Sequence, residues 1–274
     1  MRLEVLISCM NQTDLSIVEK SQLTGDVLII NQAETDSCVE VNHDNQRVRM
    51  ITTKARGLSN SRNLAIHLSK GDICLLCDDD EVFETDYEST ILKHFERLSE
   101  ADIIAFDVTN KKTRLKPDIQ RIRWLKSLRL SSVQLAFRRN RVVEKAILFD
   151  PNMGAGSGNG CGEENKFLWD CLKKGLTIYY VPRTIASLLS KHSTWFSVYD
   201  KPAKSTWFSA YDETFFYQRG AATRYMMGTA LAFLYGIYYL TAKHSAYKEN
   251  ISLICAASAL FKGICANSIR KAGG

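Results

Sequence analysis

Proline is scarce in this chain, with four among 274 residues, glycine is ordinary, and no low-complexity tract interrupts it. A flexible Pro/Gly/Ser linker is thereby excluded, so domain boundaries must be read from changes of pattern. Clustered cysteine is also missing. Cys9, Cys38, Cys74, Cys77, Cys161, Cys171, Cys255 and Cys265 are scattered, without the spacing of a small secreted disulfide scaffold, and are expected to be reduced thiols in a cytoplasmic protein. Cys74 and Cys77 form a C-x-x-C, but residues three apart on a strand point to opposite faces, which argues against a shared zinc. The N-terminus has Arg2 and a short apolar run that alternates like a strand, unlike a secretory leader.

Long uncharged runs are few. Tyr225 to Ala242 is eighteen residues without a charge, between Arg224 and Lys243, and a second apolar run covers Ile251 to Phe261. Eighteen residues is at the lower limit for a membrane span. Four tyrosines and the flanking bases suit a helix lying at a membrane interface; a buried helical hairpin and a span are the other readings. The net charge of +6 is modest but unevenly placed. Lys111 to Lys145 holds twelve Lys or Arg against Asp118 and Glu144, which leaves the rest of the chain slightly acidic. Such a block is a solvated face or meets a diphosphate or an anionic membrane; a nucleic-acid partner is not expected.

The 45% hydrophobic content is ample for a core. Short β-rich runs recur at Leu3 to Cys9, Val27 to Asn31, Val48 to Thr52, Ile73 to Cys77, Asp102 to Val108, Val133 to Phe137 and Leu176 to Val181. Helical patterns lie between them, the alternation of an α/β sheet with mostly parallel strands. Thr85-Asp-Tyr-Glu88 has capping-box spacing ahead of Ile91, Leu92, Phe95 and Leu98, and Ser59 is placed to cap the helix that follows Gly57. Beyond Pro182 the pattern becomes aromatic and then helical. Ser193-Thr-Trp-Phe-Ser-Val-Tyr-Asp200 returns as Ser205-Thr-Trp-Phe-Ser-Ala-Tyr-Asp212, a local tandem duplication too short for a solenoid.

Two segments carry chemistry. Ile73 to Cys77 reads as a central parallel strand buried on both faces, and Asp78, Asp79, Asp80 and Glu81 emerge from its carboxyl end, where open α/β sheets bind ligands. If the extended conformation continues, Asp78 and Asp80 share a face. Carboxylates about 5 Å apart repel by roughly 3 kcal/mol at an effective dielectric of about 20, so a compensating cation is expected. Hard Mg²⁺ or Mn²⁺ suits one or two carboxylates together with substrate phosphates; a solvated acidic turn is the alternative. The second segment alternates five glycines from Gly154 to Gly162, then presents Glu163 and Glu164 at the start of a helix that ends at Gly175. No window satisfies G-x-G-x-x-G and no Lys-Ser/Thr follows, which argues against a dinucleotide or P-loop role. A carboxylate in a first helical turn is held ionised by the helix dipole, as a general base requires.

Taken together, Ser8-Cys-Met-Asn-Gln-Thr-Asp14, Arg56-Gly-Leu-Ser-Asn-Ser-Arg-Asn63, Gly71-Asp-Ile-Cys-Leu-Leu-Cys-Asp-Asp-Asp80, Gly162-Glu-Glu164 and Gly175-Leu-Thr-Ile-Tyr-Tyr-Val-Pro182 resemble the family 2 glycosyltransferases of the GT-A fold, particularly bacterial enzymes that build capsular or other surface polysaccharides. The resemblance implies a Rossmann-like, mostly parallel sheet flanked by helices over residues 1–185. Residues 186–274 would add the aromatic repeat and C-terminal apolar helices. It places Asp80 on a Mn²⁺ or Mg²⁺ ion, Asp78 on the donor with Asp79 beside it, and Arg62 on the donor diphosphate. Asn11 would line the nucleotide base, although Asn31-Gln32 stands where many relatives have paired acids. The family's Glu-Asp pair falls on Glu163 and Glu164, with Glu164 the implied base and Glu163 its rival. His192 would complete the metal shell. The expected function is metal-dependent inverting transfer from a nucleotide sugar to a saccharide hydroxyl on a lipid-linked acceptor, at the inner face of the cell membrane. A nucleotidyltransferase and a non-catalytic sugar-nucleotide or membrane-binding module are the alternatives.

Overall fold

The computed structural model describes residues 1–43, 46–109, 115–157, 162–189 and 211–266. The chain packs as two compact units. One comprises Met1–Phe149 with Glu164–Tyr199, the other Asp150–Glu163 with Asp200–Gly274. Asp150–Glu163, which pattern placed with residues 1–185, groups here with Asp200–Gly274. Within the second unit Asp150 accepts a 2.6 Å hydrogen bond from the Tyr225 hydroxyl.

Among the described residues the first unit holds a ten-stranded mixed sheet. Its strands are β1 (Leu3–Met10), β2 (Asp26–Gln32), β3 (Ser37–His43), β4 (Gln46–Thr53), β5 (Ile73–Asp78), β6 (Glu81–Phe83), β7 (Ile103–Thr109), β8 (Gln120–Ile122), β9 (Leu135–Arg138) and β10 (Ile178–Leu188). Their order is β3-β4-β2-β1-β5-β9-β7-β10-β6, with β8 paired to β10. β1, β2, β4 and β5 run parallel, as do β7 and β10; β9 lies antiparallel between β5 and β7. All seven expected strands are present. β3, β6 and β8 were not legible: β3 is exposed along its length, and β6 and β8 are three residues each, too short for a period-2 signal.

Side-chain alternation divides the core between the two faces. Val5, Ile7, Leu75 and Cys77 pack with α1 (Ser16–Lys20) and α3 (Tyr87–Arg97), whereas Leu6, Cys74 and Leu76 pack with α2 (Leu58–Leu68) and α6 (Glu163–Lys173). α4 (Trp124–Ser127) and α5 (Arg139–Glu144) are short connectors. Below the sheet a buried pair ties three segments: Arg49 donates to Glu4 at 2.8 Å, and the other Glu4 oxygen accepts the Gly71 amide at 2.9 Å.

Two caps differ from expectation. Ser59 is buried inside α2, and Gly57, at φ 103°, holds the N-cap in the left-handed region open to glycine. α3 begins after Asp86, not Thr85; the Asp86 carboxylate takes the Thr90 hydroxyl, so the Thr85 box does not form. α6 closes as expected, with Gly175 and Leu176 amides bonding back to Leu172 and Cys171 in a Schellman motif.

The second unit contains α7 (Glu213–Met227), α8 (Thr229–Ala242), α9 (His244–Tyr247) and α10 (Leu253–Cys265). The uncharged run from Tyr225 is broken at Gly228, so its residues belong to two helices. No helix among the described residues is long and apolar enough to cross a membrane. α7 and α10 pack closely because Gly220 and Gly263 face backbone: a Cβ on Gly220 would stand 2.1 Å from the Leu260 carbonyl oxygen.

Candidate active site

β1 is the switch point of the sheet: the chain passes from it to β2 and β4 on one side, then to β5 on the other. The carboxyl ends of β1 and β5 therefore open a crevice of the kind that receives ligands in α/β sheets. Ser8 and Asp78 are paired there, the last register positions of the β1–β5 ladder.

Asp78 shares the parity of Cys74 and Leu76, so it faces the α2 side. Arg62, in the second turn of α2, meets it there: Nη2 lies 2.9 Å from Asp78 Oδ1 and 2.9 Å from Ser132 Oγ. The Arg62 side chain is 2% exposed, and its guanidinium carbon sits 5.4 Å from the centre of the Phe149 ring. Ser61, on the same turn, bonds Ser8 across to β1 at 2.9 Å. Helix and strand ends are thus joined by adjacent residues. Asp78, Ser132 and Phe149 are thus among the groups that meet Arg62, the residue expected on the donor diphosphate.

The extended conformation stops at Asp78, so the expected shared face for Asp78 and Asp80 does not arise; residues 79 and 80 form a turn and both are half-buried. Glu81 closes that turn. It is 1% exposed, and its Oε2 accepts the Asp78 amide at 2.7 Å. Leu189, just beyond β10, donates its amide to the Asp80 carbonyl at 2.8 Å. Burial pushes the Glu81 carboxyl well above its ordinary range, and the Asp78 charge adds to the effect. The same surroundings raise the Cys77 thiol, burial first and Glu81 second.

The loop after β1 is pinned by amides. Gln12 donates its backbone N–H to Asn31 Oδ1 at 2.9 Å, and Asn31 Nδ2 returns bonds to the Gln12 carbonyl at 2.8 Å and Thr52 Oγ1 at 3.2 Å. A carboxylate could not donate both of those last bonds. Gln32 receives the Gly57 amide on Oε1 at 2.8 Å, tying the end of β2 to the start of α2. Asn11 is exposed at φ 53°, its amide on the Gln32 carbonyl at 3.1 Å.

Glu163 and Glu164 occupy the first turn of α6; Glu163 is fully buried and Glu164 half-buried. A Cβ on Gly154, at φ 93°, would stand 3.1 Å from the Glu163 carboxyl carbon, which accounts for one glycine of the alternating run. One turn beyond Glu164, Phe167 stacks on Phe149 at 4.3 Å and 3°. Phe149 is fixed by Asn63 through two 2.8 Å bonds, and Arg62 lies over the same ring. The first turns of α6 and the Arg62–Asp78 pair are therefore joined through one aromatic side chain.

His192 and the first repeat copy lie outside the described residues, and the second copy enters them only at Tyr211 and Asp212. Among the described residues no three His, Cys, Asp or Glu side chains form a closed metal site. Asp80, expected on the metal, is half-buried and offers the carboxylate oxygen that a hard cation takes. Sequence reasoning missed Ser132. Ser131-Ser-Val-Gln134 has capping-box spacing and forms that box about a 3-10 turn, with Gln134 Oε1 on the Ser131 amide at 3.1 Å.

The family described as glycosyl transferase family 2 matches residues 4–155, more than half of the chain. No curated protein matches. Among solved structures the chain is similar to S. aureus TarS 1–349 in complex with UDP-GlcNAc, at TM-score 0.54 and 14% identity over 81% of this chain and 66% of that one. The same segment in complex with UDP aligns at TM-score 0.59 and 10% identity, over 97% and 81%. Against S. aureus TarS the values are 0.51 and 11%, over 72% of this chain and only 38% of that one. At these identities the likeness is one of fold, a GT-A-like mixed sheet flanked by helices. The family match over strands β1 to β9, with the acids at the end of β5 inside it, means that this chain belongs to glycosyl transferase family 2 and is a glycosyltransferase.

Proposed function

We propose that the chain transfers a sugar, with inversion, from a nucleoside-diphosphate donor to a saccharide hydroxyl. The observation that carries this reading is the placement of Asp78 at the switch-point crevice, bonded by Arg62, which also donates to Ser132. The TarS complexes with UDP-GlcNAc and UDP support a nucleotide-sugar donor.

In this reading Asp78 meets the donor nucleotide, Asp79 stands beside it, and Asn11 borders the base. Asp80, with Asp79 near it, would hold Mn²⁺ or Mg²⁺, which supplies Lewis-acid neutralisation of the diphosphate when bound. Glu164 accepts the acceptor hydroxyl proton. That oxygen forms a bond to the sugar carbon on the face opposite the diphosphate, and the carbon–oxygen bond to the diphosphate breaks with its electron pair. A positioned base contributes about 10² to 10⁴ in rate. Glu163, buried beside Gly154, is the rival base. The acceptor is a lipid-linked saccharide in capsular or surface polysaccharide assembly, met at the inner face of the cell membrane. The basic block within 111–145 supports that location.

Nucleoside diphosphate release from a panel of nucleotide sugars, with and without Mn²⁺, tests this. Asp80→Asn abolishes metal-stimulated release, and Glu164→Gln removes turnover while donor binding persists. Normal turnover in Glu164→Gln with loss in Glu163→Gln would transfer the base role to Glu163.

A further inference from the structure

Residues 116–129 of the first unit present an unusual surface. β8 contributes Ile122, buried and paired with Ile178, so its neighbours Arg121 and Arg123 face water. α4 follows at once. Ser127 turns inward there, its hydroxyl donating to the Trp124 carbonyl, and Trp124 and Leu125 are left 42% and 62% exposed. Ile119, on the preceding loop, is 43% exposed. Loop and helix are tied together: Lys126 donates to Gln120 Oε1 at 2.6 Å, and the Gln120 amide bonds the Lys116 carbonyl and Asp118 at 3.1 Å each. The Trp124 ring is anchored from behind by buried Trp169 at 4.9 Å. Three large apolar side chains within seven residues are thus held outward on a fixed base. Lys116, Arg121, Arg123, Lys126 and Arg129 are exposed around them, against Asp118 as the one acid of the stretch.

The occupant follows from that combination. A second copy docking through the same patch would set five bases against five bases. A soluble polyanion would satisfy the bases and leave Trp124, Leu125 and Ile119 in water. An anionic bilayer satisfies both, taking the apolar side chains at the boundary of headgroups and acyl chains and the bases at the phosphates. We propose that residues 116–129 are the docking site of this protein on an anionic lipid surface. The proposal rests on the lipid-borne acceptor read above, and deepens it by naming the face that meets the membrane.

Sedimentation of the full chain with phosphatidylcholine vesicles, with and without phosphatidylglycerol, tests it. Binding is expected with phosphatidylglycerol, weakening as salt rises, together with a blue shift of tryptophan emission that Trp124→Ser removes. The pair Trp124→Ser/Leu125→Ser lowers partition about tenfold. Replacement of a single base, Arg121→Gln or Arg123→Gln, lowers it roughly fivefold. Circular dichroism of each variant establishes that it is folded. Nucleoside diphosphate release in vesicle-free solution is read separately and stays at the parent level, so a failure of docking is not a failure of transfer. Absence of binding to anionic vesicles overturns the proposal, as does undiminished binding by Trp124→Ser/Leu125→Ser. Full competition by soluble polyphosphate with no effect of that apolar pair identifies a polyanion site instead, and also overturns it.

Discussion

Replacing Arg62 by methionine keeps most of its volume and removes its charge, isolating the bond to Asp78. The pair is unequally buried: the Arg62 side chain is 2% exposed and Asp78 20%. Opposite charges about 4 Å apart attract by roughly 4 kcal/mol at an effective dielectric of about 20, and part of this is offset by the desolvation of the guanidinium. Removing one partner of a buried pair typically costs about 3–5 kcal/mol. Arg62→Met leaves a carboxylate that still reaches water, so its cost should lie near about 3 kcal/mol. Asp78→Asn retains an acceptor oxygen but leaves the more buried charge uncompensated, so a similar cost is expected. The double variant removes both charges and should be less destabilised than the sum by about 2 kcal/mol, the size of a charge-assisted hydrogen bond. Arg62→Lys is not a rescue, because an ammonium lacks the planar fork and the stacking on Phe149. Urea unfolding of the four proteins, followed by tryptophan fluorescence and circular dichroism, measures the cycle. A coupling near zero would mean that Arg62 does not orient Asp78, and the positional argument for the donor site would lose its support.

Three further outcomes are expected. Glu81 has a native-state pKa raised above its unfolded value near 4.3, so its stability contribution is complete below that pH and is lost as pH rises toward the native value. In EDTA, Glu81→Gln should therefore match the parent protein at low pH and gain on it progressively toward neutrality; a pH-independent difference in unfolding free energy would refute this. Gly220→Ala should cost about 3 kcal/mol or more and lower helical ellipticity, since its Cβ would meet a backbone carbonyl at 2.1 Å that cannot rotate away; retention of the parent unfolding midpoint is the contrary result. Cys9, Cys74, Cys77 and Cys171 are buried with thiols raised by desolvation, Cys74 to about 12, whereas Cys38, Cys255 and Cys265 are exposed. Among the described cysteines, brief alkylation of the folded protein followed by peptide mass spectrometry should modify Cys38, Cys255 and Cys265 and spare Cys9, Cys74, Cys77 and Cys171.

The main sheet was legible because its strands are buried runs whose period and turn signals are local properties. Val27 to Asn31 and Ile73 to Cys77 say what they are without reference to any other segment. The N-caps of α2 and α3 were not, since Gly57 and Asp86 take those positions through backbone angles that a hydroxyl at Ser59 or Thr85 does not reveal. Spacing likewise made Asp78 to Glu81 and Glu163–Glu164 candidates, for they follow a buried strand and open a helix.

The sequence alone determined the α/β class, the acids at the end of β5, the carboxylates opening α6, and, through the order of its motifs, the resemblance to family 2 glycosyltransferases. Only the tertiary structure decided how those acids are held. Ser132 and Phe149 lie seventy and eighty-six residues from Arg62 and Asn63, their partners on α2, and such contacts leave no local period to read. It also decided that the apolar run at Tyr225 divides at Gly228, and that Glu81 turns inward beneath Asp78. Local spacing fixes which groups are offered; which of them meet depends on the packing of α2 and α6 against one face of the sheet.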